Sequence, residues 1–126
     1  PLEQVVANLF NNALLHAYPQ PRRGRIRLSA HRDGQALVRI EVADDGRGIA
    51  AEHLSRIFEP FFTTARNRGG TGLGLHIVHQ IVTEVLGGRI EVSSHRAGGP
   101  DGLPAGTCFT LILPREAPER PPGKAS

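Results

Sequence analysis

An α+β two-layer sandwich, with helices on one face of a mixed, mostly antiparallel sheet, is the fold this chain predicts. Two long stretches carry apolar residues at helical spacing, and four shorter stretches alternate apolar with polar residues. Their order, α-ββ-α-α-ββ, gives two antiparallel hairpins and two long helices, and such a sheet buries one face under helices.

Residues 2–17 place Leu2, Val5, Val6, Leu9, Ala13 and Ala17 on one helical face, and Pro19 and Pro21 end the run. Ile26, Leu28 and Ala30 alternate within a strand over 25–31, and Asp33-Gly34 turns the chain into a second strand over 36–43. A short helix is expected at 51–57, then an aromatic segment at 58–64 and a loop at 65–70 rich in Arg, Asn and Gly. The second long helix covers 72–86, with Leu73, Ile77, Val78, Ile81, Val82 and Val85 inward and Gly87-Gly88 as its cap. Strands at 89–94 and 107–113 flank a Gly/Pro loop at 97–106. Residues 1–113 therefore read as one domain, and 114–126, too poor in apolar residues for a core, as a disordered tail or linker.

At 126 residues, 39% hydrophobic and 21% charged, the chain has the composition of a single soluble domain. No apolar run approaches the roughly 20 residues that span a bilayer, and no signal-peptide pattern is present. These features predict a cytoplasmic domain whose parent can still carry a membrane anchor elsewhere. A start at Pro1, directly in a helical pattern, predicts a piece of a longer protein. The single Cys108 excludes an intrachain disulfide. A net charge of +3 is spread along the chain apart from Arg22, Arg23, Arg25 and Arg27, which read as a solvated face rather than a nucleic-acid surface.

Three separated pieces point to chemistry. Gly69-Gly70-Thr71-Gly72-Leu73-Gly74-Leu75 opens a helix, where glycines admit a close ligand and free N–H groups favour an anion. The run lacks the Gly-Lys pair of a phosphate loop and the preceding strand of a dinucleotide fingerprint. Arg66 and Arg68 beside it are guanidinium candidates for phosphate contacts, or members of a solvated loop. Asp44-Asp45-Gly46-Arg47-Gly48-Ile49 ends a strand, either as a plain Asx-type turn or with Asp44 accepting a hydrogen bond from an exocyclic amine.

Gln4, Asn8, Asn12 and His16 recur every four residues along the first helix, with Asn8, Asn12 and His16 at the edge of its apolar face. Asn opposes helix propensity, and its carbonyl is a hard oxygen suited to Mg²⁺, so the pair reads as ligands or as a polar flank. Phe58, Phe61 and Phe62 read first as core packing, with a latch for the following loop as the alternative. His76 and His79 share a helix without an apparent third ligand, so a metal site is not expected from them. No Ser/His/Asp arrangement is defensible.

Taken in order, the segments 2–13, Asp44–Ile49, 58–64, 70–75 and 106–109 resemble the catalytic, ATP-binding domain of sensor histidine kinases. That family sits within the superfamily of gyrase, mismatch-repair and chaperone ATPases. The resemblance covers about residues 2–113 and implies a Bergerat-type fold with Mg²⁺-dependent γ-phosphoryl transfer from ATP. By resemblance, Asn12 is the Mg²⁺ ligand and Asn8 supports metal and phosphates. Asp44 reads the adenine amino group, Gly46, Gly48 and Ile49 shape its pocket, and Thr107 lies near the base. Thr71, Gly72, Leu73, Gly74 and Leu75 face the phosphates, residues 63–71 form the ATP lid, and Arg66 and Arg68 supply cations.

Departures from the pattern are also expectations. Leu15 stands where family members often carry a Lys or Arg, Arg47 replaces a common Pro, and the strand that normally precedes the first helix is absent. None of the six His residues lies in the acceptor context, so the phosphoacceptor belongs to a separate His-bearing dimerisation domain of a homodimeric parent. This chain alone is expected to be monomeric, and a response regulator is the downstream partner implied. Relatives that hydrolyse ATP usually place a Glu where Asn8 stands, and Asn is no general base, which favours phosphotransfer over a hydrolytic switch. A degenerate nucleotide-binding module is the remaining alternative.

Overall fold

Alternation along the strands decides which residues face the helices. The computed structural model describes residues 1–14, 24–62, 74–96 and 105–115. Its elements are α1 (Leu2–Asn12), β1 (Ile26–Asp33), β2 (Leu37–Asp44), α2 (Ala51–Leu54), α3 (Gly74–Gln80), β3 (Arg89–His95) and β4 (Gly106–Pro114). The sheet has the order β1-β2-β4-β3, and all three neighbouring pairs are antiparallel, so none of the expected mixed pairing occurs among the described residues.

Phe109, Leu111 and Leu113 alternate inward on β4 and meet Val42, Ile40 and Val38 of β2 in register. Val5 and Leu9 of α1 join Val78 of α3, Val82 and Ile57 in covering that face. Leu111 is fully buried at 0% exposure, a burial that stabilises the fold by about 2–3 kcal/mol. Ile112, on the outer face, is buried as well, between Arg39 and Arg89 in register, whose stems can cover it. The edge strand β1 differs: Leu28 stays 49% exposed.

Several expected boundaries shift for local reasons. Only Ala51–Leu54 is helical in the stretch 51–57; beyond it the Arg56 N–H reaches the His53 carbonyl and the Glu59 N–H that of Arg56, as successive turns. The second long helix widens after Gln80 into a π-helical turn at Ile81–Val85, closed by the Leu86 N–H on the Ile81 carbonyl at 2.9 Å. Thr83 Oγ1 donates to the His79 carbonyl at 2.8 Å within that turn, a contact that bends helices. The extra residue per turn rotates Val85 outward, to 51% exposure, against the inward position its spacing predicts. The sheet also passes the expected boundary at 113: Pro114 belongs to β4, and the Arg115 N–H bonds the Ala36 carbonyl at 2.7 Å. No described helix is long and apolar enough to cross a membrane.

Candidate functional site

The inner face of the sheet turns polar at one end. Register aligns Asp44 on β2 with Thr107 on β4, and Thr107 with Ser94 on β3. The next row inward, Val42, Phe109 and Val92, is apolar. The polar row therefore borders the core, and Thr107 is buried at 6% exposure.

Asp44 is the last residue of β2 and Asp45 the first beyond it, and the two carboxylates take different partners. Asp45 closes the β1–β2 pair: the Arg25 N–H donates to its Oδ1 at 2.8 Å, and its own N–H donates to the Arg25 carbonyl at 3.2 Å. Asp44 instead caps the turn that follows it, accepting the Gly46 N–H at 2.9 Å. Burial pushes its carboxyl above the ordinary aspartate range; N–H groups of Gly46 and Thr107 oppose that shift, and the neighbouring Asp45 charge adds to it.

The turn 45–49 is fastened to the far strand. Gly48 has φ 80°, and a Cβ there would strike the carbonyl of His95. Its glycine is thus required by the backbone itself. The Ile49 N–H donates to Ser94 Oγ at 2.7 Å, and the same oxygen lies 2.7 Å from Thr107 Oγ1 and 3.2 Å from the Gly106 carbonyl. The Ile49 side chain packs against the core, so its place in the site is a backbone one.

The structure therefore brings Asp44, Gly46, Gly48, Ile49 and Thr107 together. Ser94, which ties the 45–49 turn to β4, is the residue sequence reasoning missed. The strand pattern Ile90-x-Val92-x-Ser94 held the signal, since a polar residue occupies the third inward position.

Asn8 and Asn12 stand on a different layer. Both are half-buried on α1 and flank the buried Val5 and Leu9, whereas Asn11 and Gln4 are exposed. Gly74 begins α3 with open space where a Cβ would stand, and the Leu75 side chain packs against the core. Arg66, Arg68, Thr71, Gly72, Leu73 and His16 lie outside the described residues, as do the lid 63–71 and the tail from 116.

The three phenylalanines separate. Phe58 packs against Phe109 at 6.4 Å and His79 at 5.4 Å, while Phe62 lies against His53 at 5.4 Å and under the Arg56 guanidinium at 4.6 Å. Phe61 is a correction to the expected core packing: its φ of 67° turns the ring outward, to 61% exposure. His76 Nδ1 sits 3.3 Å from the Phe58 carbonyl, so both α3 histidines serve the contact with the Phe58 segment. Among the described residues no group of three His, Cys, Asp or Glu side chains forms a metal cluster. Burial pushes the Cys108 thiol above its usual range, which keeps it a poor nucleophile.

A half-buried carboxylate thus stands at one end of the sheet beside a glycine turn, and Asn8 and Asn12 are half-buried on α1. The profile of the histidine kinase-, DNA gyrase B-, and HSP90-like ATPase family matches residues 1–117. The chain belongs to this family.

Among curated proteins, this ATPase domain is 46% identical over 113 residues to the sensor histidine kinase ZraS of Escherichia coli K12. That match covers 90% of the chain but 21% of ZraS, so the chain spans about a fifth of that relative's length. Among solved structures, the mycobacterial sensor histidine kinase MprB superposes with TM-score 0.71 at 29% identity, covering 88% of this chain and 68% of that one. Full-length ShkA in complex with AMPPNP gives TM-score 0.71 at 30% identity, over 94% of this chain and 22% of ShkA. The fold is that of histidine kinase ATPase domains, and the ATPase domain is of the sensor histidine kinase kind.

Proposed function

We propose that this domain binds Mg-ATP and donates the γ-phosphoryl group to a histidine on a separate dimerisation domain. The observation that carries the reading is the polar row, where the half-buried Asp44 is oriented by backbone N–H groups while Asp45 is spent on the β1–β2 pair. An ionised carboxylate only accepts hydrogen bonds, which suits the amino group of adenine. Gly46, Gly48 and Ile49 frame the base from one side and Thr107 from the other.

The donor set fits Mg²⁺ held mainly by substrate. Described residues offer no carboxylate cluster, but the half-buried Asn12 carboxamide supplies one hard oxygen, with Asn8 a turn earlier. Such an ion, when bound, neutralises charge on the β- and γ-phosphates. Asn12 and Asn8 orient the triphosphate, and Thr71, Gly72, Leu73, Gly74 and Leu75 are the phosphate-side residues that the family resemblance assigns. Arg66 and Arg68 are the side-chain cations. The γ-phosphoryl leaves the β–γ bridging oxygen for an imidazole nitrogen, ADP departs, and the imidazole loses a proton. Catalysis is then largely positioning and charge neutralisation.

The partners in this reading are the His-bearing domain of a homodimeric parent and a response regulator, with the chain itself monomeric and cytoplasmic. Calorimetric titration tests the first step: Mg-ATP is expected to bind within the range of roughly micromolar to millimolar typical of enzymes. Absence of heat at those concentrations removes the reading. Acid-labile label on a supplied His-bearing hairpin, and little on this chain alone, tests the second step. Steady phosphate release without that hairpin points to a hydrolytic switch instead.

A further inference from the structure

Helix α3 is set against the core by one face and against the Phe58 segment by the next. Leu75 and Val78 turn to the core, and at helical spacing the half-buried His76 and the exposed His79 share the adjoining flank. Phe58 lies along that flank, its ring 5.4 Å from His79 and 6.4 Å from Phe109. The turns of its own segment close on the carbonyls of His53, Arg56 and Glu59, while the Phe58 carbonyl faces His76 Nδ1 at 3.3 Å. A carbonyl can only accept, so this contact is a hydrogen bond with the imidazole proton on Nδ1.

Phe109 is buried on β4, two residues from Thr107 and in the row next to the polar one. The Phe58 ring is thus seated beside the base end, and its carbonyl meets the helix two residues after Gly74. We infer that His76 is a positioning residue: through the Phe58 carbonyl it fixes where the Gly74 end of α3 stands relative to the sheet, and so how well the outer phosphates are met once the base is seated. The inference rests on the Mg-ATP reading above, in which Gly74 and Leu75 are phosphate-side residues. His76 acts only through Phe58 and the helix, and touches no phosphate in this role. Holding a group in place matters because a displacement of about 1 Å weakens interactions whose partners are all still present.

Mg-ATP and AMP form the matched probes, since AMP keeps the base and sugar and lacks the β- and γ-phosphates. Calorimetric affinities of the full chain for each give, as a ratio, the increment that the outer phosphates add. His76→Leu keeps the branch at Cγ and removes the donor. The increment is then expected to fall roughly fivefold, the scale of one neutral hydrogen bond, while AMP stays within a factor of about two of wild type. His76→Asn puts an amide N–H where Nδ1 stands, and is expected to restore the increment.

A merely structural role for His76 weakens both nucleotides alike and leaves the ratio within a factor of about two, which overturns the inference. Should His76→Leu fail to fold, His76→Asn and His76→Gln decide, because Gln carries its amide one bond farther out. An increment kept in Asn and lowered in Gln supports the inference, and equal increments overturn it. A wild-type chain that binds Mg-ATP no better than AMP overturns the phosphate-end reading itself. A clear wild-type increment that survives in His76→Leu overturns only the role of His76.

Discussion

The two ends of the proposed nucleotide site are built differently. At the base end, Asp44, Thr107, Ser94 and the turn to Ile49 are tied into strands, and their polar atoms are engaged with one another before any ligand is considered. At the phosphate end, Asn8 and Asn12 stand half-buried on a helix flank, and Gly74 opens α3 with free space around it. A network anchored in a sheet fixes which hydrogen-bond partners a ligand must bring. Groups projecting from helices are left for the ligand to organise. Substitutions at the base end should therefore disturb stability and selectivity together, and those at the phosphate end should separate affinity and rate from stability.

The largest expected effect is at the phosphate end. Asn12→Ala should lower phosphotransfer to a supplied His-bearing domain by roughly 10²-fold or more, the scale of removing a positioned electrostatic group. Its thermal midpoint should stay near wild type, since Asn is itself a mediocre helix residue and Ala a good one. Undiminished labelling removes Asn12 from the site, and a collapsed midpoint removes the contrast between the two ends.

Gly48→Ala is the counterpart at the base end. The residue combines φ 80° with a Cβ directed at the His95 carbonyl, so either the turn or the end of β3 must shift. Strain of this kind costs about 1–3 kcal/mol, read as a lower denaturant midpoint with unchanged slope. Nucleotide affinity should fall with it, because the Ile49 N–H is displaced from Ser94. Full stability in Gly48→Ala contradicts the turn as described.

Gly74→Ala should behave in the opposite way. Nothing stands where the Cβ would be, and Ala in place of Gly in a helix stabilises by about 0.4–1 kcal/mol. A variant that is slightly more stable yet binds Mg-ATP more weakly assigns this glycine to the ligand. Unchanged affinity leaves it a helix start and nothing more.

What the sequence revealed follows the same division. Period-2 patterns predict the four described strands and period-3.6 patterns the two long helices, because burial on one face is a local property of spacing. The limits of α2, the π-helical turn at Ile81–Val85 and the outward Phe61 were not legible, since each depends on which backbone carbonyls find partners. Asp44 was legible as a candidate from its turn, but its separation from Asp45 needed the β1–β2 pairing. The alternation Ile90-x-Val92-x-Ser94 marks Ser94 as inward, but what its hydroxyl joins needed the register with Thr107.

Asp44→Asn is the smallest change and the sharpest probe, because it should raise stability while removing selectivity. Burial raises the folded-state pKa of Asp44 above its unfolded value, so the folded chain holds that proton more tightly than the unfolded one. Stability contributed by the protonated form is present below the unfolded aspartate pKa and is lost as pH rises through the folded value. At neutral pH the whole cost of the buried charge is therefore felt. Asn keeps an oxygen for the Gly46 and Thr107 N–H groups and carries no charge, so Asp44→Asn should match or exceed the wild-type thermal midpoint at pH 7. As pH falls through the folded Asp44 pKa the wild type becomes protonated too, and the difference between the two proteins should shrink. Nucleotide titration should show the reverse cost, since the carboxamide can present an N–H where adenine needs an acceptor. A variant less stable than wild type at pH 7 and equal to it in acid would mean that the backbone N–H groups outweigh burial at this carboxylate, and that the base end is held by its charge.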